Sequence, residues 1–498
     1  MTQLTERTSP AAIELETVIG LEVHAELLTE SKMFCACSAH HASAEPNTVV
    51  CPICLGMPGV LPVINQKAVE YTVLTALALH CEIPESSKFD RKNYNYPDLM
   101  KGYQISQYDL PLSLNGWLEI PDPQHPAQTR RLGITRVHLE EDTARLRHVR
   151  AATGETFSLM DVNRAGVPLM EIVGEPDIGT PEQAGAYLRN LRTILRYIGV
   201  SSANMEEGAF RCDANVSLRP QGATALGAKV EVKNMNSFRA VQRALAFEIE
   251  RQRAVLDSGG RVVQETRGWV EERGVTVSQR SKEAAHDYRY FPEPDLPPLY
   301  LDREWVEALR ARLPELPEPR RHRFVAEYGL SAEEAATITA SRALADYFEA
   351  TVRAGVAAKS AANWLLRDVL RLLNTTGTSV EESKLTPTYL AALIGLIESG
   401  RLSGRSAPEV LEEVFTTGAA PEHVLASKRL AQVSDTGALD SVIERVLAAP
   451  SNQKAVADYR AGKEAALNFL FGAAMKETRG RANPGVVREL LRQKLSAN

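Results

Sequence analysis

No run of about 18 apolar residues occurs anywhere in the 498-residue chain, which argues against a membrane-spanning helix. Its first ten residues, MTQLTERTSP, lack the basic and then apolar regions of a secretory signal, so the chain is expected to be cytoplasmic, with no membrane partner. Catalytic signatures are also scarce. No Gly-x-Gly-x-x-Gly follows a strand-like run, and the nearest thing to a phosphate loop, Gly222 to Lys229, has one residue too many before its lysine. A P-loop and a Rossmann dinucleotide site are therefore rejected. No Gly-x-Ser-x-Gly elbow presents an activated serine, and Cys–His catalysis has no signature, so amide hydrolysis by this chain is not expected.

Positive charge is short overall: the net charge of −6 rules out wholesale coating of nucleic acid and leaves only a local basic surface for such a partner. Residues 451–498 supply one, with nine Lys or Arg against four Asp or Glu, including Lys476, Arg479, Arg481, Arg488, Arg492 and Lys494. Such a cluster suffices for phosphate contacts, which position nucleic acid without reading sequence; a solvated helix face has the same composition.

Cysteine is sparse and unevenly placed. Four of the six, Cys35, Cys37, Cys51 and Cys54, form two close pairs thirteen residues apart, while Cys81 and Cys212 stand alone. Disulfides are not expected in a cytoplasmic chain. Two thiolate pairs on short loops supply a tetrahedral set for a closed structural Zn²⁺ site; an emptied site and redox chemistry are the other readings. The lone cysteines read as small buried hydrophobes.

Against this background one segment stands out. Val18 to Leu27 places Glu22, His24 and Glu26 at alternate positions of a strand, with Leu21, Val23, Ala25 and Leu27 between them. Three ligand-type side chains then share one face while the other enters a core. An amphipathic edge strand has the same pattern. Thr135–Arg145 adds Glu140, Glu141 and Asp142 beside His138, and 204–215 adds Glu206, Glu207, Asp213 and Asn215. Crowded carboxylates repel unless a cation or solvent relieves them, and hard oxygen sets suit Mg²⁺ bound with substrate phosphates. The basic set Lys229, Lys233, Arg211 and Arg239, with the polar turn Lys233 to Phe238, fits phosphoryl transfer, where positioning and charge neutralisation supply most of the catalysis.

At 498 residues the chain needs two or three domains. From 18 to about 295 it mixes strand-like runs with turns, and the stretch Phe291 to Pro298 marks a boundary. Helical periodicity follows, with helices expected over Trp305–Leu313, Ala332–Ala350 and Ala361–Leu373. We expect domains at 1–295, 296–407 and 408–498.

These residues resemble the B subunit of the glutamine-dependent aspartyl/glutamyl-tRNA amidotransferases, over nearly the whole chain. The resemblance rests on Gly20–His24, Cys51–Gly59, Asn93–Gln107, His138–Asp142, Asn163–Glu171, Met205–Gly208, Arg211–Ser217, Lys233–Phe238 and Asp287–Leu296. The chain departs from the pattern at Val162, where an aromatic is expected, and at Ser278-Gln279-Arg280, where Met is expected before the arginine.

The resemblance implies an α+β fold: a glutamine-synthetase-like cradle domain, then all-α helical and tail domains, the tail holding tRNA. It further implies ATP-dependent phosphorylation of the side-chain carboxylate of Asp or Glu misattached to tRNA-Asn or tRNA-Gln, followed by amidation with ammonia. That ammonia would come from a glutaminase (A) subunit, and a small C subunit would brace the pair. The implied cofactors are ATP, Mg²⁺ and structural Zn²⁺. Glu22, His24, Glu140, Glu141, Glu206 and Asp213 form the pool of metal ligands, direct or through water, with Asn215 beside them and Lys233 and Arg211 on the transferring phosphate; not all six can touch the metal, and His24 acting behind a ligand or Glu206 and Glu207 in plain structural pairing are the other readings. Asn234 and Asn236 could orient the aminoacyl end, although Asn also forms turns for backbone reasons alone. Tyr94, Tyr96 and Lys101 resemble the segment that lines the cradle, where the rings could stack on the terminal adenosine or a base or simply pack in the core, and Arg479, Arg481 and Arg488 are the implied tRNA contacts in the tail.

Overall fold

The computed structural model describes residues 14–123, 128–281, 288–428, 430, 436–478 and 482–496. Two compact units divide the chain, Met1–Pro317 and Glu318–Asn498.

The first unit is built on an eight-stranded mixed sheet: β1 Leu15–Glu26, β2 Ser113–Pro121, β3 Thr129–Glu141, β4 Pro168–Gly174, β5 Phe210–Pro220, β6 Val230–Lys233, β7 Glu265–Val270 and β8 Val275–Ser281. Their order is β8-β7-β6-β5-β1-β4-β3-β2. Neighbours run antiparallel except β6 and β7, whose parallel pairing requires the crossover that helix Phe238–Asp257 provides. That helix starts where the Ser237 hydroxyl accepts the Ala240 amide at 3.0 Å, an N-cap that satisfies an otherwise orphaned donor. Thr180 caps Pro181–Tyr197 in the same way, with Pro181 in the first turn, where its missing N–H costs nothing.

Alternation along the strands decides which face is buried. Leu21, Val23 and Ala25 of β1, Val137 and Leu139 of β3, Met170 and Ile172 of β4, and Ala214 and Val216 of β5 are all sealed from solvent. They share one apolar core with helices Gln66–Ala78, Pro181–Tyr197 and Phe238–Asp257. The intervening residues of these strands project from the opposite face.

The Pro-rich stretch at 291–298 does not end this unit. Phe291–Pro292 pairs with Asp90–Asn93, itself hydrogen-bonded to Tyr103–Ser106, and Leu299–Tyr300 pairs with Ser86–Ser87. Glu293, buried, accepts hydrogen bonds from Nε and Nη2 of Arg91 at 2.7 and 2.8 Å. Helix Arg303–Arg310 then adds Val306 and Leu309 to the same core, which carries the unit past 295.

The named elements of the second unit are all helices among the described residues. One apolar cluster runs from Phe324 to Leu425 and a second from Leu439 to Leu495. Helix Ala407–Thr417 gives Val410, Leu411 and Val414 to the first cluster, so that cluster continues beyond the boundary expected at 407. The helix expected over 332–350 is two, Ala332–Thr339 and Arg342–Arg353, because Ser341 turns its side chain onto the Leu344 amide and starts a new helix. Among the described residues, no helix is long and apolar enough to cross a membrane.

Candidate active site

Strand register brings the polar residues of the sheet face opposite the helices into rows. Glu22 of β1 lies opposite Asp213 of β5, and His24 opposite both Arg211 of β5 and Glu171 of β4. Glu171 in turn lies opposite His138 of β3. The first row is therefore imidazole, carboxylate, imidazole across three strands.

Glu171 is its hub. Its Oε2 lies 3.2 Å from His138 Nε2 and 3.6 Å from His24 Nε2. His138 Nε2 also meets Glu140 Oε1 at 3.4 Å. Glu140 accepts Ser106 Oγ and Gln104 Nε2, both at 2.9 Å, and Lys92 Nζ stands 4.0 Å away. Ligand atoms of His24, Glu140 and Glu171 all lie within 4.8 Å of one another.

Electrostatics follow from burial with opposite charges close by. Burial alone would lower the pKa of His138, but the charge of Glu171 and hydrogen bonds to Glu140 and Glu171 raise it to about 9. His24 is raised against the same burial by its hydrogen bond to Glu171. Burial opposes ionisation of Glu171, yet His138 and His24 hold it well below the usual carboxylate range. Lys92 does the same for Glu140 against its burial.

This group fits a divalent cation. Two carboxylates meet what Mg²⁺ takes from protein, leaving positions for water and phosphate oxygens, and an imidazole completes the trio.

A second group adjoins it along the sheet. Lys233 Nζ reaches Asp213 Oδ2 at 2.6 Å and Glu231 Oε1 at 3.2 Å. Asn215 donates its amide to Glu22 Oε1 at 2.9 Å, while its own Oδ1 is buried without a partner. Glu22, Asn215 and Lys229 help line a cavity of about 200 Å³ whose wall is thinned by Gly20 and Gly174. An orphaned buried acceptor beside a carboxylate and a lysine suits a polar ligand better than an apolar one.

The remaining sequence candidates separate. Glu141 is tied to Lys101 and to the Ile105 amide, the latter at 3.0 Å, so these two residues neutralise each other. Arg211 is paired with the buried Asp142. Glu26 meets His41 Nε2 at 3.1 Å. Glu206 is exposed in the turn before β5, outside the three-residue cluster. Asn234, with φ of +65°, and Asn236 are exposed on the loop entering the crossover helix. Tyr94 packs edge-on to Tyr288 at 5.8 Å with Lys92 near its ring, whereas Tyr96 is exposed. In the second unit Arg488 lies over Phe471, 4.8 Å from its centroid. Arg479 and Arg481 lie outside the described residues.

Reading the sequence for ligands missed Glu171, and left His138 and Lys92 off the candidate set. Glu171 is the one carboxylate in the otherwise apolar run Val167–Val173, and a single acid at an alternate position of a strand was the available signal.

Cys35, Cys37, Cys51 and Cys54 come together, their sulfurs within 4.8 Å of one another. Cys54 Sγ lies 3.6 Å from that of Cys35 and 3.7 Å from that of Cys51. A tetrahedron of sulfurs at the usual Zn–S distance has edges of about 3.8 Å, so the spacing fits zinc. The hydrogen bond from Cys35 is the main cause that takes the Cys54 thiol down to about 4, with the Lys32 charge assisting. Burial pushes Cys37 up to about 11.

Comparison with known proteins decides the lineage. Residues 17–307 match the family model described as the GatB/GatE catalytic domain, and residues 346–495 match that of the GatB domain. The chain belongs to the GatB/GatE family.

Its GatB-type relatives are near in sequence. It is 56% identical over 484 residues to the B subunit of the aspartyl/glutamyl-tRNA(Asn/Gln) amidotransferase of Thermomicrobium roseum, spanning 97% of this chain and 99% of the relative. Proteins of the same name are 54% identical over 492 residues in Dehalococcoides mccartyi and over 483 in Carboxydothermus hydrogenoformans, each spanning 97% of this chain and 99% of the relative. The GatB/GatE catalytic match spans the whole polar face described above and the four cysteines.

Proposed function

We propose that this chain is the B subunit of a tRNA-dependent amidotransferase, a glutamine-dependent carbon–nitrogen ligase. Its substrates would be ATP and Asp-tRNA-Asn, Glu-tRNA-Gln or both, and its products Asn-tRNA-Asn or Gln-tRNA-Gln. The observation that carries the reading is the row His24–Glu171–His138–Glu140 on a rigid sheet face, with Asp213 and Lys233 beside it, in a chain of this family.

The chemistry needs two steps. A side-chain carboxylate is a poor electrophile. Its oxygen attacks the γ-phosphorus of ATP, the bond to the bridging oxygen breaks, and ADP leaves. Ammonia then adds to the acyl carbon, inorganic phosphate departs, and a proton lost from nitrogen leaves the amide.

Bound Mg²⁺ supplies charge neutralisation on the triphosphate. Glu140, Glu171 and His24 would hold it, with Glu22 and Asp213 as the next candidates. Lys233 and Arg211 would face the transferring phosphate, Arg211 being held by the buried Asp142 and Lys233 by Asp213 and Glu231. Asn215 would offer its free acceptor to the ligand. Tyr94 and Lys92 would flank the entering aminoacyl end with Asn234 and Asn236, and Tyr96 is exposed for stacking. Glu141 and Lys101 would position the Tyr103–Ser106 strand that presents Ser106 and Gln104 to Glu140.

The mixed sheet with one covered and one polar face supports a glutamine-synthetase-like cradle in the first unit. The helical unit, with Arg488 and the neighbouring Arg479 and Arg481, would serve as helical and tail domains that hold tRNA. Zn²⁺ on the four cysteines would be structural. Because the sequence offers no glutaminase nucleophile, ammonia would come from an A subunit, the pair would be held together by a small C subunit, and the assembly would act in the cytoplasm.

The test is transamidation: this chain with A and C subunits, ATP, Mg²⁺ and glutamine, supplied in parallel with Asp-tRNA-Asn or Glu-tRNA-Gln. Amidated amino acid on tRNA, lost when ATP or this chain is omitted, is the expected result. No product from an assembled complex with active glutaminase would overturn the proposal.

A further inference from the structure

Lys32 is fully buried, 0% exposed. Its Nζ donates to the Val49 carbonyl at 2.9 Å and to Cys54 Sγ at 3.5 Å. Among the described residues no carboxylate pairs with it. Lysines are almost never buried unless paired, and an uncompensated ammonium in the interior is strongly disfavoured. Among the described residues its ammonium meets the Val49 carbonyl and the sulfur cluster, and of these the sulfurs are the group able to carry a full negative charge.

The backbone of the same residue reaches the other thiol pair, since its amide donates to the Cys37 carbonyl at 2.9 Å. Lys32 thus touches the Cys35–Cys37 loop through its main chain and the Cys51–Cys54 loop through its side chain. Four thiolates around one dication carry a net charge of −2, and a lysine in contact reduces the local sum to −1.

We propose that Lys32 is the built-in counter-ion of the four-cysteine metal centre, donating to the Cys54 thiolate and holding zinc in place. This rests on the zinc reading of those cysteines. Lys32 is a positioning residue, and its influence extends toward the sheet face through a short path. The Met33 amide bonds the Gly166 carbonyl at 2.7 Å, and the Gly166 amide bonds the Asp142 carbonyl at 2.9 Å. Asp142 is the buried partner of Arg211. Cys54 itself packs with Ala144, Val162 and Ala165 of the same segment. Lys32 thus lies one residue from the hydrogen-bonded path that leads through Gly166 to Asp142 and Arg211.

The test uses the purified full chain and the variants K32M, K32R and K32Q, with K67M, a surface lysine on Gln66–Ala78, as control. Zinc content is measured first, then zinc affinity by competition with a chromophoric chelator, then the absorption spectrum after Co²⁺ replacement. The wild type and K67M are expected to hold one zinc per chain. K32M is expected to bind zinc about 10–100-fold more weakly, the usual effect of losing a ligand's hydrogen-bond partner, and K32R to stay near wild type. In the Co²⁺ form, K32M should move the thiolate-to-metal band to lower energy, a signature that altered packing alone does not produce.

Equal zinc affinity and an unchanged Co²⁺ spectrum in K32M would overturn the role of Lys32 while leaving the zinc centre standing. A wild-type chain with neither zinc nor a tetrahedral thiolate spectrum would overturn the centre and this inference together. Where K32M does not fold, K32Q against K32R decides the matter, because both donate hydrogen bonds and only one is charged: equal affinities would refute the counter-ion.

Discussion

Glu171 Oε2 and His138 Nε2 face each other at 3.2 Å across neighbouring strands, both residues buried. Each holds the other in its charged form, so the pair forms one electrostatic unit, with His24 and Glu140 at its ends. Replacing Glu171 by Gln keeps the shape and removes the charge. We expect amidation and ATP turnover to fall by about 10²–10³-fold, the usual cost of deleting one preorganised polar group from a reaction site. Steady-state kinetics with a circular-dichroism check of folding would show it, and wild-type turnover in E171Q would contradict the assignment.

Asp213 and Lys233 are bonded at 2.6 Å on adjacent strands. Their substitutions should therefore be non-additive. D213N and K233M are each expected to lose at least tenfold in ATP turnover, and the double variant to be no worse than the poorer single. A strictly multiplicative loss in the cycle would mean that the two act independently.

In the second unit, Glu349 meets Arg323 at 2.8 Å and accepts Tyr328 Oη at 3.2 Å, with Arg320 bonded as well. Burial opposes its ionisation, but the hydrogen bonds from Arg323 and Arg320 win and lower its pKa. A carboxylate depressed on folding contributes stability that is present above its unfolded pKa of about 4.3 and lost as pH falls through the folded value. E349Q should therefore cost about 1 kcal/mol at neutral pH, solvent screening discounting the charge-assisted bonds of a partly exposed group, and progressively less in acid. Denaturant titrations at pH 7 and at about pH 3, well below the unfolded pKa, would measure the gap, and a gap independent of pH would refute the account.

Two glycines should respond in opposite directions to alanine. A Cβ on Gly116 would lie 2.6 Å from the Leu79 carbonyl oxygen, whereas one on Gly395, inside helix Pro387–Glu398, meets nothing within 4 Å. G116A is expected to destabilise by about 1–3 kcal/mol, and G395A to stabilise by up to about 1 kcal/mol. Thermal unfolding of the two variants side by side tests the contrast.

How much of this could be read from residues alone depended on periodicity. Glu22, His24 and Glu26 announced a strand with a polar face because alternation is a local property. Thiol spacing likewise announced the cysteine cluster. Glu140 and Glu141 looked equivalent as neighbours in a crowded run, and only the third dimension separates them: one joins the histidines, the other is bonded to Lys101. Glu171 was hidden because the residues around it are apolar, and its partners arrive from strands more than thirty residues away on one side and more than a hundred on the other. The end of the first unit was misplaced for a similar reason: Pro-rich composition signals a turn, but it carries no sign of the long-range pairing that follows.

That pairing has a consequence for how the molecule is made. Phe291–Pro292 and Leu299–Tyr300 close on strands at 86–93, and the Arg91–Glu293 ion pair joins residues 202 positions apart. During synthesis the segment carrying the early half of the site must wait for some two hundred more residues before its last edges are covered. Loop closure of that span is slow and leaves strand edges open to other chains meanwhile. The strands at 86–93 therefore keep an unpaired edge until residues 291–300 have been made, so the early half of the site is completed only by one of the last segments of its unit.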